Sequence, residues 1–582
     1  MCGIIARMSL DSNPIKTIHG LKELEYRGYD SYGILFSNFK EESIVYKDIG
    51  EIDVSVFNNK NIKSNIEIGH TRWATHGDVE KRNAHPHFDA ANNFFVVMNG
   101  IVENFQKIKI NLIKEGIKFN SETDTEVIPA LFSYYFNPLC KDLRAELILT
   151  MGKVIAELKG EFSFLLKYGD FLFAFKNMNP IIVGFLDKEV FISSDINLVM
   201  NNSDEYVILD DNSFFICTFE KDKVNHEFLD SSFNSLEIKF NKSIVKNTQV
   251  LRYTDYFMEQ EILEQQNISA LLIKENLISI SYFLEKIKEK KVIITGAGGS
   301  YYAAMYLHYR LLECEVLSQF ILAAELKNYI NSISEDTLIV VFSQSGETAD
   351  LIYPLKEISK LNHEIFAITN CKDSTLDRLA KKSIHLNCGR EIAVASTKAF
   401  SAQVFFSEIV FSKLKKRELD INFFENNFMK IVYNIFKKVN ILSSKYSSCR
   451  DFFYLGRNRY YPLALEGALK LKEIAYIHAE GFAGGELKHG SLALIEKNVP
   501  CVILGGDDEI ISNAIELKTR GAFIIGIDSK QNEVYDYFIS VPEEFKEIFS
   551  IITMQIFALQ MCLQLEHNPD KPRNLAKSVT VK

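Results

Sequence analysis

The 582-residue sequence predicts a multidomain protein of mixed α/β and α+β class. Three observations lead there. Residues 1–220 read as short β runs with few long helical stretches. From about Val292, continuous apolar strands alternate with helix-like segments, as in a parallel sheet buried on both faces. That second pattern then recurs, which points to two doubly wound parallel α/β domains.

The composition, 47% hydrophobic and 24% charged, is that of a globular chain with a sizeable core. A net charge of −10 argues against a broad nucleic-acid surface. The nine cysteines are odd in number, scattered and without C-x-x-C spacing. They predict a reduced compartment, with no disulfide framework and no thiolate zinc site. The N-terminus shows no basic-then-apolar leader, and no run approaches the ~18 apolar residues of a membrane helix. The expectation is a cytoplasmic protein with no membrane span.

In the first half, Ser43–Tyr46, Ile66–Gly69, Phe94–Met98 and Phe162–Tyr168 read as strands. Asn104–Glu115 carries Phe105, Ile108, Leu112 and Ile113 at helical spacing, and Asp124–Tyr135 opens another helix after the cap-like Ser121–Asp124. Cys2 stands out by position. Removal of Met1 would leave a thiol and a free α-amine on one residue. Such an amine, with a pKa of about 7.7–8.0, is partly unprotonated near neutral pH and can take the thiol proton. Asn99-Gly100 follows an apolar strand and could aim a side-chain amide and a backbone N–H at one point, as an oxyanion hole does; it is also a common turn. His70, His76, His85 and His87 lack zinc-site spacing and are expected to hydrogen-bond.

Five motifs occur in order: Cys2-Gly3-Ile4, Arg27-Gly28-Tyr29-Asp30-Ser31, His70-Thr71-Arg72-Trp73-Ala74-Thr75-His76-Gly77, Asn99-Gly100-Ile101-Val102-Glu103-Asn104 and Ser121-Glu122-Thr123-Asp124-Thr125-Glu126. Together they resemble an N-terminal-nucleophile glutamine amidotransferase domain, spanning residues 2–220. The resemblance implies a four-layer αββα fold. It implies that Cys2 attacks the glutamine amide, that Asn99 and the Gly100 N–H hold the oxyanion, that Arg72 binds the α-carboxylate and Asp124 the α-ammonium, and that Thr75, His76 and Arg27 line or support the site. Met98 departs from the family, which often has His there.

Residues 221–250 are polar and aperiodic and read as a linker; Asp255–Gln265 then starts an amphipathic helix. Val292–Thr295, Thr337–Phe342 and Glu364–Thr369 read as buried parallel strands, and their counterparts are the run from Phe452 to Gly456, Val499–Leu504 and Phe523–Ile527. The domains are therefore expected at 251–415 and 447–565, with 566–582 as a tail. Gly296-Ala297-Gly298-Gly299-Ser300-Tyr301 lacks the last glycine of a dinucleotide fingerprint. Ser343-Gln344-Ser345-Gly346-Glu347-Thr348 leaves a strand end and enters a helix. Its hydroxyls, glycine and helix N-terminus suit an anion better than an ordinary capped turn would. In the second copy, Gly505-Gly506-Asp507-Asp508 has acids instead, and no phosphate is expected there.

That loop resembles those of sugar isomerase domains. So do Glu391–Phe400, Ala464–Ile474, Gly485–Gly490 and the tail Lys571–Lys582. With the amidotransferase half in front, the whole chain resembles the glutamine–fructose-6-phosphate aminotransferase (isomerizing) family. The resemblance implies synthesis of glucosamine 6-phosphate from glutamine and fructose 6-phosphate, as the first step of amino-sugar formation. Ser343, Gln344, Ser345 and Thr348 would hold the phosphate with Ser300 nearby, and Val394 and Ser396 would contact the sugar. Lys577 would form a Schiff base, Glu473 would move a proton between C1 and C2 with help from Lys470, and His489, from a neighbouring subunit, would open the ring. Trp73 and the tail would keep ammonia from water. The resemblance implies a homodimer without metal or organic cofactor. Gly299, where a threonine is usual, and Ser491, where a proline is usual, depart from the pattern, as does Arg390. A non-catalytic sugar-phosphate sensor would need none of Cys2, Arg72, Asn99, Asp124 and Lys577. An amidotransferase with a phosphoribosyl acceptor would need a paired-acid loop that the sequence lacks.

Overall fold

The computed structural model describes residues 2–39, 43–58, 60–243 and 252–579, and the chain divides into two compact units at Gln249/Val250.

The first unit stacks two antiparallel sheets between helices. The eight-stranded sheet runs Asn241–Lys242, Glu205–Ile208, Ile182–Leu186, Glu189–Ser193, Gly3–Ser9, Ile66–Arg72, Ser31–Ser37 and Ser43–Ile49. The six-stranded sheet runs Lys223–Leu229, Ser213–Glu220, Phe171–Lys176, Gly160–Tyr168, Phe94–Val102 and His87–Phe88. Strand alternation sets the layers. Ile4, Ala6 and Met8 face the second sheet, where they meet Phe95, Val97, Leu165 and Phe215. Ile5 faces the other way, onto Ile18 and Leu21 of helix Ile15–Glu23 and Leu198 of helix Ile196–Asn201. Helices Phe105–Lys114, Val127–Tyr135 and Leu143–Glu157 cover the outer face of the six-stranded sheet through Ile108, Leu112, Leu131, Met151 and Val154. The result is a four-layer αββα arrangement.

The linker expectation is corrected in part. Lys223–Leu229 is an edge strand paired with Ser213–Glu220, and Asn241–Lys242 pairs with Glu205–Ile208. An edge strand has one wet face and little apolar content, so its polar sequence concealed its pairing. Residues 230–240 between these strands form turns and irregular chain, and residues 244–250 lie outside the described residues. The helix expected from Asp124 begins at Val127, because Asp124 to Glu126 are engaged in the preceding loop.

The second unit holds two five-stranded parallel sheets of matching order. One runs Ser318–Leu322, Lys291–Gly296, Thr337–Ser343, Glu364–Thr369 and Lys382–His385; the other runs His478–Ala483, Asp451–Gly456, Pro500–Leu504, Phe523–Asp528 and Tyr537–Ser540. Helices Lys398–Leu414, Ile421–Tyr446 and Lys546–Gln564 share one apolar core with both sheets. Helix Ile421–Tyr446 falls between the expected domains. It buries Phe424, Phe428, Val432, Ile435, Val439 and Leu442, a clean helical stripe. Lys546–Gln564 is long and apolar enough by composition to cross a membrane, yet 83% of its apolar window is buried in this core. Arg310 clasps Glu408 in a two-pronged pair (2.6 and 2.8 Å), and Arg459 holds Glu547 at 2.7 Å. Arg310 also lies 3.4 Å from Glu547, so buried charges of both copies join one network.

Candidate active sites

In the first unit, the apolar filling between the sheets gives way at one end to polar side chains on the same faces. Ile66 and Ile68 are followed by His70 and Arg72, Phe95 and Val97 by Asn99, and Ile4 is preceded by Cys2. The register Gly3↔Thr71 brings Cys2 to Arg72 and Trp73. The Trp73 N–H donates to Cys2 Sγ at 3.4 Å, and the Trp73 carbonyl lies 3.6 Å from that sulfur. Burial raises the Cys2 thiol above its ordinary pKa, while the Trp73 amide and the Arg72 charge pull it down.

Asn99-Gly100 does not end the strand, as expected from the sequence; it lies within Phe94–Val102. Gly100 adopts φ +112°, and a Cβ there would fall 2.1 Å from the Glu161 carbonyl oxygen, so only glycine fits. Asn99 Oδ1 and Asn179 Nδ2 are both buried without a hydrogen-bond partner among the described residues, and Asn179 Nδ2 lies within 2.9 Å of the Gly100 Cβ position. Buried amides are rarely left so, and this pair suits an incoming polar group. Asn179 stands outside the five motifs, and nothing in its local sequence singles it out.

Arg72 is buried and donates to the carbonyls of Gly77 (2.9 Å) and Asp78 (3.2 Å) and to that of His76, which ties the loop after Trp73 to the strand. Asp124 accepts the Val102 N–H at 2.7 Å, and burial raises its pKa. Glu126 takes the N–H groups of Asn120 and Ser121, both at 2.7 Å, and so shapes the loop that presents Asp124. Asp30 accepts from the Ala74 N–H at 2.8 Å, and a Cβ on Gly28 would meet Trp73 N at 2.6 Å; the Arg27–Ser31 motif is thus a brace for the Trp73 loop. Arg27 itself donates to the Tyr26 hydroxyl and lies 3.6 Å from Asp195. The Thr75 hydroxyl lies 3.3 Å from His76 Nδ1, and the His76 ring meets Phe105 edge-on.

The other histidines hydrogen-bond. His70 Nε2 lies 2.9 Å from the Met98 carbonyl, His85 Nδ1 accepts the Met98 N–H, and His87 Nε2 meets the Thr123 hydroxyl. Burial lowers His70 to about 3 and its two neighbours well below the usual value, so all three are neutral. Among the described residues, no group of three or more His, Cys, Asp or Glu is placed to hold a metal ion.

In the second unit, the loop after strand Thr337–Ser343 opens helix Ala349–Lys360. Gly346 turns at φ +68°, where an added Cβ would meet Ser374 Oγ at 2.1 Å. The Ser343 hydroxyl accepts the Gly346 N–H and the Ser345 hydroxyl the Glu347 N–H; Thr348 Oγ1 lies 3.5 Å from Ser343 Oγ. Hydroxyls and helix amides therefore converge where an anion is best held. The tail lies on this loop. Ser578 Oγ donates to Ser345 Oγ at 2.9 Å, and the Val579 carbonyl accepts the Ala349 N–H at 3.0 Å.

The side chain of Lys577 is buried, not solvated as an isolated tail lysine would be. Its Nζ donates to Glu391 Oε2 at 2.5 Å and to the Ala393 carbonyl at 2.8 Å. Burial disfavours the charge of Glu391, but Lys577 more than offsets this and holds its pKa below the ordinary value. Glu391 also accepts from Ser396 Oγ (3.1 Å) and from the N–H groups of Thr397 and Ala399. The Val394 N–H donates to the Asp570 carbonyl at 3.1 Å. Ser300 accepts from Gln403 Nε2, and the Gln344 carbonyl accepts the Asn370 N–H.

Helix Tyr460–Ala475 supplies a row of charge. Lys470 is fully buried between Glu473 (2.6 Å) and Glu466 (3.3 Å). Burial raises Glu466 to about 8. A Cβ on Gly299 would stand 3.0 Å from Glu466 Oε2, so this carboxylate of the second copy reaches the helix start of the first. His489 is exposed on the turn Glu486–His489 and hydrogen-bonds to none of these groups. Glu391 and Glu466 belong to motifs, yet their type and spacing assign them no role; only the fold shows what they hold.

A glutamine amidotransferase domain model matches residues 55–146, and a SIS domain model matches 287–413 and 445–565. The chain is 36% identical over 607 residues to the glutamine–fructose-6-phosphate aminotransferase [isomerizing] of Pyrococcus horikoshii and 34% identical over 624 residues to that of Fusobacterium nucleatum, covering 100% of both chains in each case. The solved C-terminal domain of glucosamine-fructose-6-phosphate aminotransferase from Francisella tularensis is 30% identical, with a TM-score of 0.49, covering 55% of this chain and 99% of that one.

Proposed function

Because the chain belongs to the glutamine–fructose-6-phosphate aminotransferase (isomerizing) family, we propose that it takes nitrogen from L-glutamine to convert D-fructose 6-phosphate into glucosamine 6-phosphate, releasing L-glutamate. The observation that supports this most is Lys577: a buried amine held by Glu391 while the adjoining Ser578 rests on the Ser343–Thr348 loop.

The first step is amide cleavage. Cys2, deprotonated by its own α-amine once Met1 is gone, attacks the glutamine side-chain carbon. Asn99 and the Gly100 N–H stabilise the oxyanion, ammonia leaves, and water releases glutamate from the thioester. Asp124 binds the substrate ammonium and Arg72 its carboxylate, and Arg27, Thr75 and His76 keep the pocket's shape.

The second step is transfer. Ser343, Gln344, Ser345 and Thr348 bind the phosphate, which takes over the helix amide now held by Val579. Ser300, Val394 and Ser396 position the sugar. Lys577 leaves Glu391, loses its proton and condenses with the C2 carbonyl, expelling water; ammonia then replaces the lysine. Glu473, beside Lys470, moves the proton from C1 to C2 to give the 2-amino aldose. His489 is exposed and hydrogen-bonds to none of this cluster, which suits a homodimer in which each chain lends it to the other.

The test supplies purified protein with both substrates and with each alone. Equal glutamate and glucosamine 6-phosphate, dependent on both substrates, is the expected result. Sugar-phosphate binding without any turnover would instead favour a sensor.

A further inference from the structure

The first unit contains a cavity of about 620 Å³ that the proposed chemistry does not use. It lies where the two sheets part, between the edge strand Lys223–Leu229 and the strands Ile182–Leu186, Glu189–Ser193 and Glu205–Ile208. The volume falls within the ~300–1,000 Å³ of small-molecule sites. One side is aromatic. Phe185 packs against His226 (ring centroids 4.6 Å apart) and Phe240 (5.2 Å), and Phe240 is partly exposed. The rim is acidic. Asp187, Asp204 and Glu205 line the cavity, are exposed and make no ion pair among the described residues. The one lining cation is Lys242, the cross-strand neighbour of Glu205. Glu189 is already engaged by Arg7 and Lys16. His226 lies below its usual pKa through burial and adds no charge at neutral pH.

We propose that this cavity binds a small organic cation with a flat apolar body. Phe185, His226 and Phe240 supply an aromatic wall for that body, and the unpaired carboxylates answer its charge at the rim. An anion would meet the carboxylates, and a neutral ring would gain only the apolar contact. The site touches the strand that begins beside the nucleophile through one lining residue: Glu189 accepts from Arg7 of Gly3–Ser9 at 2.7 Å.

The experiment is a fluorescence titration of the full chain with p-aminobenzamidine, with neutral p-aminobenzamide and anionic p-aminobenzoate alongside. One p-aminobenzamidine per chain is expected to bind, with the amide weaker by roughly tenfold, the worth of one cation–π or exposed charge contact. The Asp187→Asn/Asp204→Asn protein is expected to lose roughly tenfold as well. Both residues are exposed, and an unchanged melting curve checks that this variant folds. Glutamine is expected not to displace the probe. Equal binding of all three probes, unchanged affinity in the double variant, or displacement by glutamine would each overturn the proposal.

Discussion

The two parallel-sheet copies of the second unit have the same strand order and the same opening turn, yet their ligand loops have opposite characters. A Cβ on Gly296 would strike the Ser300 carbonyl oxygen at 2.6 Å, and one on Gly456 the Tyr460 carbonyl oxygen at 2.2 Å, so the first strand of each copy in chain order ends in the same tight entry to a helix. Beyond the next strand they part. The first copy presents Ser343, Ser345 and Thr348 around Gly346. The second turns its own carboxylates inward: Asp507 caps its helix through the Ile510 N–H at 2.9 Å, and Asp528, paired with Lys546, covers Gly506 so closely that no Cβ could fit there. Strand ends fix where a ligand can sit in such folds, and a few loop residues decide whether one does. The second copy has not become inert. It lacks such a cradle, but its helix Tyr460–Ala475 brings the Glu466 carboxylate, paired to Lys470, to the helix start of the first.

The largest effect expected from this division is at Lys577. Lys577→Ala should abolish amino-sugar formation while glutamate release persists; borohydride trapping of the sugar at another lysine would contradict the assignment. Glu473→Gln follows, with turnover lower by roughly 10²–10⁴-fold, the usual worth of a positioned acid–base. Sugar binding measured in parallel should stay near the parent value. Next is the cradle. Ser345→Ala/Thr348→Ala removes two hydroxyls proposed to hydrogen-bond the charged phosphate, at about 1.5–3 kcal/mol each. The KM for fructose 6-phosphate should rise by roughly 10²–10⁴-fold, since every ~1.4 kcal/mol is tenfold. Asp507→Ala, at the matching place in the second copy, should cost only about 1 kcal/mol of stability through the lost cap and leave that KM alone. A KM that rose equally in both variants would erase the distinction between the copies.

Much of this was legible in the sequence, and the exceptions share a cause. The apolar strands of both copies announce themselves because a buried parallel strand is apolar throughout. The motif loops are legible because their residue types are improbable together. What stayed hidden depends on distant partners. Asn179 matters because the strand Phe94–Val102 brings Gly100 against it, and no local pattern encodes that meeting. Lys223–Leu229 reads as linker because an edge strand needs few apolar residues. Glu391 looks like any acid until the fold sets Lys577 and the Thr397 and Ala399 amides around it. Helix Ile421–Tyr446 carries a legible helical period, but it lies between the repeats and belongs to neither.

The smallest expected effect tests whether the second copy's carboxylates really enter the first copy's site. Glu466 is fully buried, lies 3.3 Å from Lys470 without hydrogen-bond geometry and reaches Gly299. Burial puts its pKa near about 8, above the ordinary carboxylate value of 4.5. A raised acid binds its proton more tightly in the folded chain than in the unfolded one. Its contribution to stability is therefore complete below about pH 4.5 and is lost as pH rises through about 8. Glu466→Gln keeps the shape and removes the titration, so the decline in stability between those limits should flatten. Glu261, raised to about 8 by burial and by Glu391, leaves a residual slope in both proteins. Urea denaturation at intervals from pH 5 to pH 8 makes the comparison. Curves that run parallel would mean that Glu466 is solvated and ionised, away from the helix start where Gly299 makes room for it.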